Sequence, residues 1–568
     1  MPSRRSRRLS SVAANTPRIL GNRSASRWRG WLILGLVLTP ALAAIWSSQW
    51  FVTQDGPAHL YNATILARWL DPHSPFRDFY ELRLDPLPNW SGHFVLASLV
   101  SVLPDRVADR AMTTLTLLSV AVGTFWLKRR VDRRGGEFNT AFWATILGLN
   151  VSWLLGFDAF LIGLGLGAVT LGLWWSGRHA FGPRRAAGVS ALLVLGYFSH
   201  LVSLGLTVIG LIVLAFATPG RRRARRIAWS AVTCIPLIPL TLIYLSISRR
   251  SAGRLTPIWD NLDNPASLWS WMNYATWTDP ITIASKATFP LITAPSPLYR
   301  LAAPALWFVL GLMMLLAANL SDLSVSRFAR ARSHLRRGWL ILGLLLWVGG
   351  LFGPDTLGKA HGHYLAQRVA LSGLIFWTPW FDARGAVARR FARGASVCLG
   401  IALAVQTGFI WDYARLCERN VGGLLKAEDA LAVIGSHSTR PLRVGSLILL
   451  ERTRFRANPL YHADNLFGLP GRIVWYNYEA GRYYFPLRFK DHLRRPSPDE
   501  LEAISILDGT DELATRGRRW ETLLDSDHDT MDVLVQWGDD KVLDAINRRW
   551  FDPTFVQNSL TVYRRRSN

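Results

Sequence analysis

The sequence predicts an α-helical polytopic membrane protein with about eleven transmembrane helices and a C-terminal extracytoplasmic domain of mixed α/β structure. Half of the 568 residues are hydrophobic, and they collect in long runs with almost no charge, such as 31–45, 227–247 and 301–320. Runs of about 20 residues match the hydrocarbon core of a bilayer. The basic residues behind the net charge of +26 lie in short loops between these runs. That arrangement is typical of membrane topology signals rather than of nucleic-acid binding.

The charge of the connecting loops sets the expected topology. The expected spans are residues 31–50, 110–127, 139–157, 158–177, 186–199, 201–217, 228–247, 301–319, 338–353, 366–381 and 394–412. The loops at 1–30, 128–134, 178–185, 221–226, 327–337 and 384–393 are rich in arginine and fall on one side, which the positive-inside rule makes cytoplasmic. The N-terminus is then cytoplasmic and the C-terminus extracytoplasmic. The first span could instead be a cleaved signal peptide, but its basic leader is unusually long.

Three regions follow from this topology. They are a cytoplasmic basic N-terminus at 1–30, a transmembrane domain at 31–412 with outer loops at about 51–109 and 248–300, and an extracytoplasmic domain at 413–568. The apolar stretch 93–103 is too short to span and is expected to lie as a helix in the outer interface. In the last region we expect strands at 444–450, 531–537 and 560–563 and helices at 498–504 and 539–550. The three cysteines form neither a disulfide framework nor a metal-binding spacing.

Asp55 is the first candidate for chemistry. It opens the string Asp-Gly-Pro-Ala-His at 55–59, within a few residues of the end of the first span. A carboxylate at a membrane boundary, partly shielded from water, can have a raised pKa and act as a base. Gly-Pro favours a turn that starts a helix, so Asp55 could also be a helix N-cap, worth about 1 kcal/mol. The two roles do not exclude each other.

Further ionisable residues fall on the same outer face as Asp55 and His59. Asp158 lies at a turn between two tight spans, where a carboxylate is expected to be paired, solvated or functional. His200 occupies the next outer turn, either as an interfacial polar residue or as a functional group. Arg368 begins an apolar run at its outer end, where it could snorkel to the surface or bind a lipid phosphate. Residues 361 and 363 are both histidines, and their i, i+2 spacing is compatible with metal binding. No acidic residue lies at a recognised ligand spacing from them.

This pattern resembles the polyprenol-dependent glycosyltransferases of the GT-C fold, especially bacterial relatives of protein mannosyltransferases and aminoarabinose transferases. Those families carry an acidic residue in the first outer loop, matched by Asp55, and a second between the third and fourth spans, matched by Asp158. The polar residue of the next outer turn, often Lys in the family, is His200 here. Tyr364 and Arg368 match a late segment that precedes an apolar run.

The chain also departs from the family pattern. Asp55 is followed by Gly-Pro, not by the second acidic residue of the Asp-Glu version of the motif. The longer string at 55–63 and the segments 475–479 and 484–486 resemble a set of uncharacterised bacterial membrane proteins of the same plan.

The resemblance implies sugar transfer, with inversion, from a polyprenyl-phosphate donor to an extracytoplasmic glycan, lipid or protein at a bacterial plasma membrane. Asp55 would activate the acceptor hydroxyl, and Arg368 would neutralise the departing lipid phosphate. The residues expected to bind donor or substrate are His59, Asp158, His200, Tyr364 and Arg368. The resemblance leaves open whether a divalent metal ion takes part. The alternatives are a transporter or flippase-like protein and a non-catalytic scaffold that binds partners through its tail.

Overall fold

The fold is described from a computed structural model. The described residues are 25–132, 137–220, 222–252, 327–352, 364–381, 386–451, 453, 455–482, 484–493, 501, 504–505 and 513–566. The expected span at 301–319, nearly all of the outer loop at 248–300, His361, His363 and most of the expected helix at 498–504 lie outside these residues.

Helices dominate the first three quarters of the chain, as the apolar runs predict. In chain order they are α1 (Ala25–Ser47), α2 (Gly56–Ala67), α3 (Trp90–Val100), α4 (Asp105–Val131), α5 (Glu137–Gly148), α6 (Val151–Leu154), α7 (Asp158–Gly177), α8 (Pro183–Ser199), α9 (Leu201–Ala217), α10 (Arg223–Val232), α11 (Leu237–Ala252), α12 (Arg327–Phe352), α13 (Leu365–Trp377), α14 (Ala386–Leu424) and α15 (Ala427–Ser436). The expected interfacial helix at 93–103 corresponds to α3.

Several of these helices suit a bilayer. Among the described residues, four are long and apolar enough to cross one, at Trp28–Ser47, Asp105–Val131, Asp158–Gly177 and Ala392–Ser436. The bent pair α10 and α11 would add a fifth if it forms one span. These helices support a multi-pass membrane protein, and the count of eleven stays a prediction.

The expected span at 139–157 is broken in the structure. Helix α5 ends at Gly148, and the buried side chain of Asn150 accepts a hydrogen bond from the backbone N–H of Trp153 at 3.0 Å. This bond caps the short helix α6 and satisfies a helix-terminal donor away from water. The break redirects the chain, so that residues 150–157 form a turn before α7.

Helices α4 and α7 pack at short range through glycines. A Cβ on Gly165 of α7 would lie 2.1 Å from the Ser119 hydroxyl and 2.7 Å from the Ser119 carbonyl oxygen of α4. Small residues at such positions allow helix backbones to approach closely in membrane proteins. The close pair fixes the position of the N-terminal end of α7, where Asp158 lies.

The described part of the C-terminal region contains both strands and helices. Its strands are β2 (Arg443–Ile448), β3 (Ile473–Val474), β5 (Val533–Trp537), β6 (Phe551–Gln557) and β7 (Leu560–Arg565), with helices α16 (Leu513–Asp527) and α17 (Lys541–Asn547). The sheet order is β3-β2-β5-β7-β6, with β2 parallel to β3 and β5 and the remaining pairs antiparallel.

The C-terminal region 413–568, called the tail below, is joined to the rest of the protein by a continuous helix and by a strand pair. Helix α14 runs without a break past residue 412 to Leu424. In addition, β1 (Tyr80–Leu82) of the first outer loop pairs antiparallel with β4 (Leu487–Phe489) of the tail. Tyr61 and Tyr80 are buried in the same apolar cluster as tail strands β2 and β5. The first outer loop and the tail therefore form one packed unit.

Candidate active site

Asp55 directly precedes helix α2 but does not cap it with its side chain. The preceding segment is held against the 150–157 turn, since the backbone N–H groups of Gln54 and Asp55 donate to the carbonyl oxygens of Leu154 and Leu155 at 2.9 and 3.1 Å. Asp55 stands at the N-cap position, yet its side chain makes no capping hydrogen bond. The carboxylate is 20% exposed, and its Oδ1 lies 3.8 Å from Nε2 of His462.

The surroundings of Asp55 change its acidity. Burial raises the pKa of Asp55 to about 7, while the charge of His59 lowers it and that of Glu479 raises it by smaller amounts. Asp158 and Arg368 lie close enough to act on the Asp55 carboxyl electrostatically. A carboxyl group with a pKa near the working pH is suited to general base catalysis.

Gly156 brings the start of α7 against Asp55. Its φ of +82° lies in the left-handed region, and a Cβ there would lie 2.7 Å from the Thr53 hydroxyl and 3.1 Å from the backbone nitrogen of Asp55. The Gly156 carbonyl oxygen also lies 3.0 Å from Nε2 of His59. Asp158, in the first turn of α7, is buried next to this contact.

Arg368 of α13 lies on the aromatic residues of the same turn. Its guanidinium carbon is 4.1 Å from the ring centroid of Phe157 and 5.3 Å from that of Phe160. The side chain is buried, and Nη1 lies 3.1 Å from Nε2 of His200. The two aromatic faces stabilise the buried guanidinium without neutralising its charge, and they offset part of the cost of taking that charge out of water.

His200 cannot accept both of the hydrogen bonds directed at its ring. Nδ1 accepts from the backbone N–H of Val202 at 3.1 Å, and the Arg368 guanidinium approaches Nε2. Burial, and next the charge of Arg368, hold the pKa of His200 well below its usual value, so the ring is neutral. A neutral imidazole has one acceptor nitrogen, so the ring accepts from either Val202 or Arg368, and the other donor faces an N–H of the ring.

Tyr364 lies just before α13. Its φ of +58° is unusual for a residue other than glycine, and its ring centroid is 5.8 Å from that of Phe157. The side chain is exposed. The structure therefore brings the six sequence-predicted site residues around one segment, 156–160, which covers the end of the 150–157 turn and the start of α7 at the predicted outer end of the bundle.

Glu479 and His93 are additional site residues that the sequence did not single out. Glu479, from a short 3₁₀ turn of the tail, is buried and contacts Nδ1 of His59 with one oxygen and Nε2 of His93, at 2.6 Å, with the other. Burial alone would raise the pKa of Glu479, but His93 and then His59 lower it to about 2. Burial would lower the pKa of His59, but Glu479 raises it to about 10.

A pair of asparagines holds this cluster in register. The side-chain amides of Asn62 on α2 and Asn477 in the tail exchange two hydrogen bonds of 3.1 Å each. The side-chain oxygen of Asn477 also accepts from the backbone N–H of Glu479 at 3.1 Å. The contact between Asn62 and Asn477 therefore positions Glu479 of the tail next to His59 and His93.

The cluster of His59, His93 and Glu479 could hold a metal ion. Their ligand atoms all lie within 4.8 Å of one another. The second ring nitrogen of each histidine is directed at a backbone carbonyl oxygen, at 3.0 Å for His59 and 3.4 Å for His93. In a neutral ring, the nitrogen that faces the carbonyl oxygen carries the proton, so the nitrogen that faces Glu479 has a lone pair and no proton. A lone pair and a carboxylate oxygen repel each other, so either an added proton or a divalent metal ion is needed between each ring and Glu479.

Comparisons with known proteins give structural neighbours only. No protein-family model matches the chain, and no curated protein matches it. The chain is similar to ArnT from Cupriavidus metallidurans bound to undecaprenyl phosphate, with 14% identity, a TM-score of 0.47 and coverage of 95% of this chain and 98% of that one. It is similar to the archaeal oligosaccharyltransferase AglB from Archaeoglobus fulgidus, solved with an inhibitory peptide and a dolichol-phosphate, with 10% identity, a TM-score of 0.43 and coverage of 95% and 74%.

A third similar structure is the arabinofuranosyltransferase AftD from Mycobacteria, with 16% identity, a TM-score of 0.46 and coverage of 95% of this chain and 40% of that chain. These neighbours are GT-C glycosyltransferases, the class that the sequence resembles.

Proposed function

We propose that this protein is a membrane glycosyltransferase that moves a sugar from a polyprenyl-phosphate donor to an extracytoplasmic acceptor, with inversion. The observation that carries the proposal is the convergence of two buried or half-buried carboxylates, Asp55 and Asp158, with the buried cation Arg368 around one turn. A base and a phosphate-binding cation in one site are the groups that this reaction requires.

Asp55 acts as the general base. It takes the proton of the acceptor hydroxyl while that oxygen forms a bond to the anomeric carbon, and the bond from this carbon to the phosphate oxygen breaks. The electron pair leaves with the lipid phosphate. Base catalysis of this kind contributes about 10²- to 10⁴-fold. The raised pKa of Asp55 and its unused capping position support this assignment.

Arg368 and His200 receive the leaving phosphate. In the tautomer that carries its proton on Nε2, His200 presents an N–H donor to the Arg368 guanidinium at 3.1 Å, and an oxyanion between or beside the two donors would stabilise this arrangement. Charge-assisted hydrogen bonds from such donors strengthen as the leaving group gains charge. ArnT and AglB have undecaprenyl phosphate and dolichol-phosphate bound in their structures. For this chain, a polyprenyl phosphate is proposed from its own Arg368–His200 pair.

The remaining residues surround the reacting groups. Asp158 and His59 lie against the Gly156 turn and are proposed to orient the donor sugar, while Tyr364 lies at the exposed edge where the lipid carrier would enter. A divalent ion fits the His59, His93 and Glu479 cluster, because histidine nitrogens and a carboxylate are suitable zinc ligands. When bound it would supply positive charge beside Asp55.

The test is release of undecaprenyl phosphate from a panel of undecaprenyl-phosphate sugars by the purified full chain in proteoliposomes. A membrane extract serves as the source of acceptor. Asp55→Asn should lower the rate by about 10²- to 10⁴-fold and leave undecaprenyl phosphate binding unchanged. Arg368→Gln should weaken that binding, because the phosphate loses its guanidinium partner.

Asp85→Asn is the matched control, because it removes an exposed carboxylate from the same outer loop. Full transfer activity in Asp55→Asn would remove Asp55 from the mechanism. Lipid flipping that survives both Asp55→Asn and Arg368→Gln, without sugar transfer, would favour a flippase-like protein instead.

A further inference from the structure

A basic cavity lies away from the candidate active site, between the loop after α7 and the start of α10. It has a volume of about 130 Å³, several times that needed for one water molecule. Its lining residues are Arg178, His179, Ala180, Phe181, Gly182, Arg222, Arg225 and Arg226. We call this cavity the arginine pocket. Both loops belong to the side that the charge pattern predicts to be cytoplasmic.

Two arginines of the arginine pocket have buried N–H groups with no partner among the described residues. Arg226 is only 3% exposed, and its Nη2 donates to the carbonyl oxygens of Ala215, at 3.3 Å, and Thr218, while its Nε–H has no acceptor. Arg178 donates from Nη1 to the Trp175 carbonyl oxygen at 2.7 Å, and its Nε–H is likewise without an acceptor. Buried donors without acceptors are costly unless a ligand or water completes them.

The charges around the arginine pocket reinforce one another. Burial, and next the charge of Arg226, lower the pKa of Arg178 to about 10, so the group stays protonated at neutral pH. Burial, then Arg178 and Arg226, also lower the pKa of His179. The charged groups that shift the pKa values of Arg178 and His179 are arginines, and an anion would offset their repulsion.

A positive-inside charge bias alone would not produce this arrangement. Loop arginines that only orient a helix can extend into water, as Arg184 at the start of α8 does. In the arginine pocket, Arg226 is instead buried at the base, while Arg222 and Arg225 are exposed at the rim. Guanidinium groups that surround a small cavity match the tetrahedral oxygens of a phosphate group.

We propose that the arginine pocket binds the phosphate group of an anionic ligand on the predicted cytoplasmic side of the protein. The ligand is either the headgroup of an anionic phospholipid or a free phosphate compound. Basic pockets between transmembrane helices on the cytoplasmic side are suited to anionic lipid headgroups. The site is distinct from the proposed transferase site and does not depend on it.

The experiment uses the purified full chain in detergent. Native mass spectrometry measures retention of phosphatidylglycerol and, in parallel, phosphatidylcholine, and calorimetry measures binding of inorganic phosphate. We expect retention of phosphatidylglycerol over phosphatidylcholine, and about tenfold weaker retention in Arg225→Gln and Arg178→Gln, as the loss of one charge-assisted hydrogen bond implies. Arg184→Gln is the control, because it removes an equal charge from an exposed position in the first turn of α8 and does not line the cavity.

The arms of the experiment separate the sources of phosphate. Retention of phosphatidylglycerol without binding of inorganic phosphate identifies a lipid headgroup site, and the reverse identifies a soluble phosphate site. Arg225 is exposed, so Arg225→Gln should fold, and an unchanged melting temperature will verify it. Equal retention in wild type, Arg225→Gln and Arg178→Gln, together with no binding of inorganic phosphate, would overturn the proposal.

Discussion

Asp55 gives the site its expected pH dependence. Because burial raises the pKa of Asp55 to about 7, the base is mostly protonated below that pH and ionised above it. The value of kcat/KM should rise about tenfold per pH unit up to about pH 7 and then level off. The rate of undecaprenyl phosphate release between pH 5 and 9 measures this profile.

The raised pKa of Asp55 also affects the free energy of unfolding, which should fall as the pH rises while the rate of transfer increases. The folded pKa of Asp55 lies above the ordinary value of 3.8, so its contribution to the free energy of unfolding is lost as the pH rises from about 4 through 7. Asp55→Asn should remove both this loss and the acidic limb of the rate profile. A wild-type rate that is constant between pH 5 and 8 is incompatible with Asp55 as the base.

The His59, His93 and Glu479 cluster leads to a prediction about metal. Zinc at 100 times its dissociation constant should raise the free energy of unfolding of the wild-type protein by about 2.7 kcal/mol, because a ligand that binds only the folded state stabilises it. The melting temperature should rise with it. Chelator should reverse the effect, and His93→Gln should abolish it. His437→Gln, at an exposed histidine of the tail, is the control. Identical melting in zinc and chelator would mean that protons hold the two imidazoles against Glu479.

At the scale of single residues, the sequence predicts the charged residues next to the apolar runs as candidate site residues but does not predict Glu479. Asp55, Asp158 and Arg368 stand next to apolar runs, where a charge is conspicuous, and the structure places them together. Glu479 carries no such signal. It lies 420 residues from His59 and 386 from His93, in a region without a local pattern for chemistry. Only the three-dimensional packing of the tail on the outer loop brings it to the site.

At the scale of elements, the 150–157 turn positions the groups that we propose to be catalytic. Gly156→Ala should lower transfer strongly, because its φ of +82° costs an L-residue about 1–2 kcal/mol and the new Cβ would displace Thr53 and Asp55. Rates and melting temperatures of the variant separate displacement from unfolding. Gly188→Ala is the matched control, since a Cβ there meets nothing within 4 Å. Wild-type transfer in Gly156→Ala would mean that the turn does not position Asp55.

The elements that the sequence predicted are those with strong patterns. The apolar runs at 158–177 and 201–217 coincide with α7 and α9, because their length and lack of charge leave few alternatives. The edge strand β6 was not expected. It contains Pro553 at a register shift, and proline is unfavourable in strands except at edges and bulges. The break at Asn150 was also not expected, since its apolar surroundings resemble one continuous span.

At the scale of the whole molecule, the tail is part of the site and not an appended module. Strands β1 and β4 pair with Glu81 opposite Arg488, and the two side chains form an ion pair. The backbone N–H groups of Arg83 and Lys490 donate to Pro486 and Phe79 on either side of this pair, at 2.8 and 3.0 Å. Hydrogen-bonded pairs alternate along an antiparallel ladder, so Glu81 and Arg488 form the hydrogen-bonded pair between these two. Residues opposite each other in a pair of this kind have Cα atoms about 5.5 Å apart, a distance that a disulfide can bridge.

The pairing leads to a test of both architecture and orientation. Glu81→Cys combined with Arg488→Cys should form a disulfide in cells without reductant, because disulfides form in the periplasm and are rare in the cytoplasm. A mobility shift on a non-reducing gel, lost after reduction, measures it. Transfer activity should persist in the oxidised protein, since the bond holds the two strands in the register they already have.

The controls separate docking from simple exposure to oxidant. Glu81→Cys combined with Asp552→Cys places the second thiol on β6, in the other sheet, and should give no intramolecular bond. Each single variant should behave as the wild type, whose cysteines are all free. If the paired variant stays reduced in the cell but forms the bond when membranes are opened to oxidant, the strands meet on the cytoplasmic side, and the predicted orientation is wrong. If it forms no bond under either condition, the tail does not dock on the first outer loop, and Glu479 cannot reach His59 and His93.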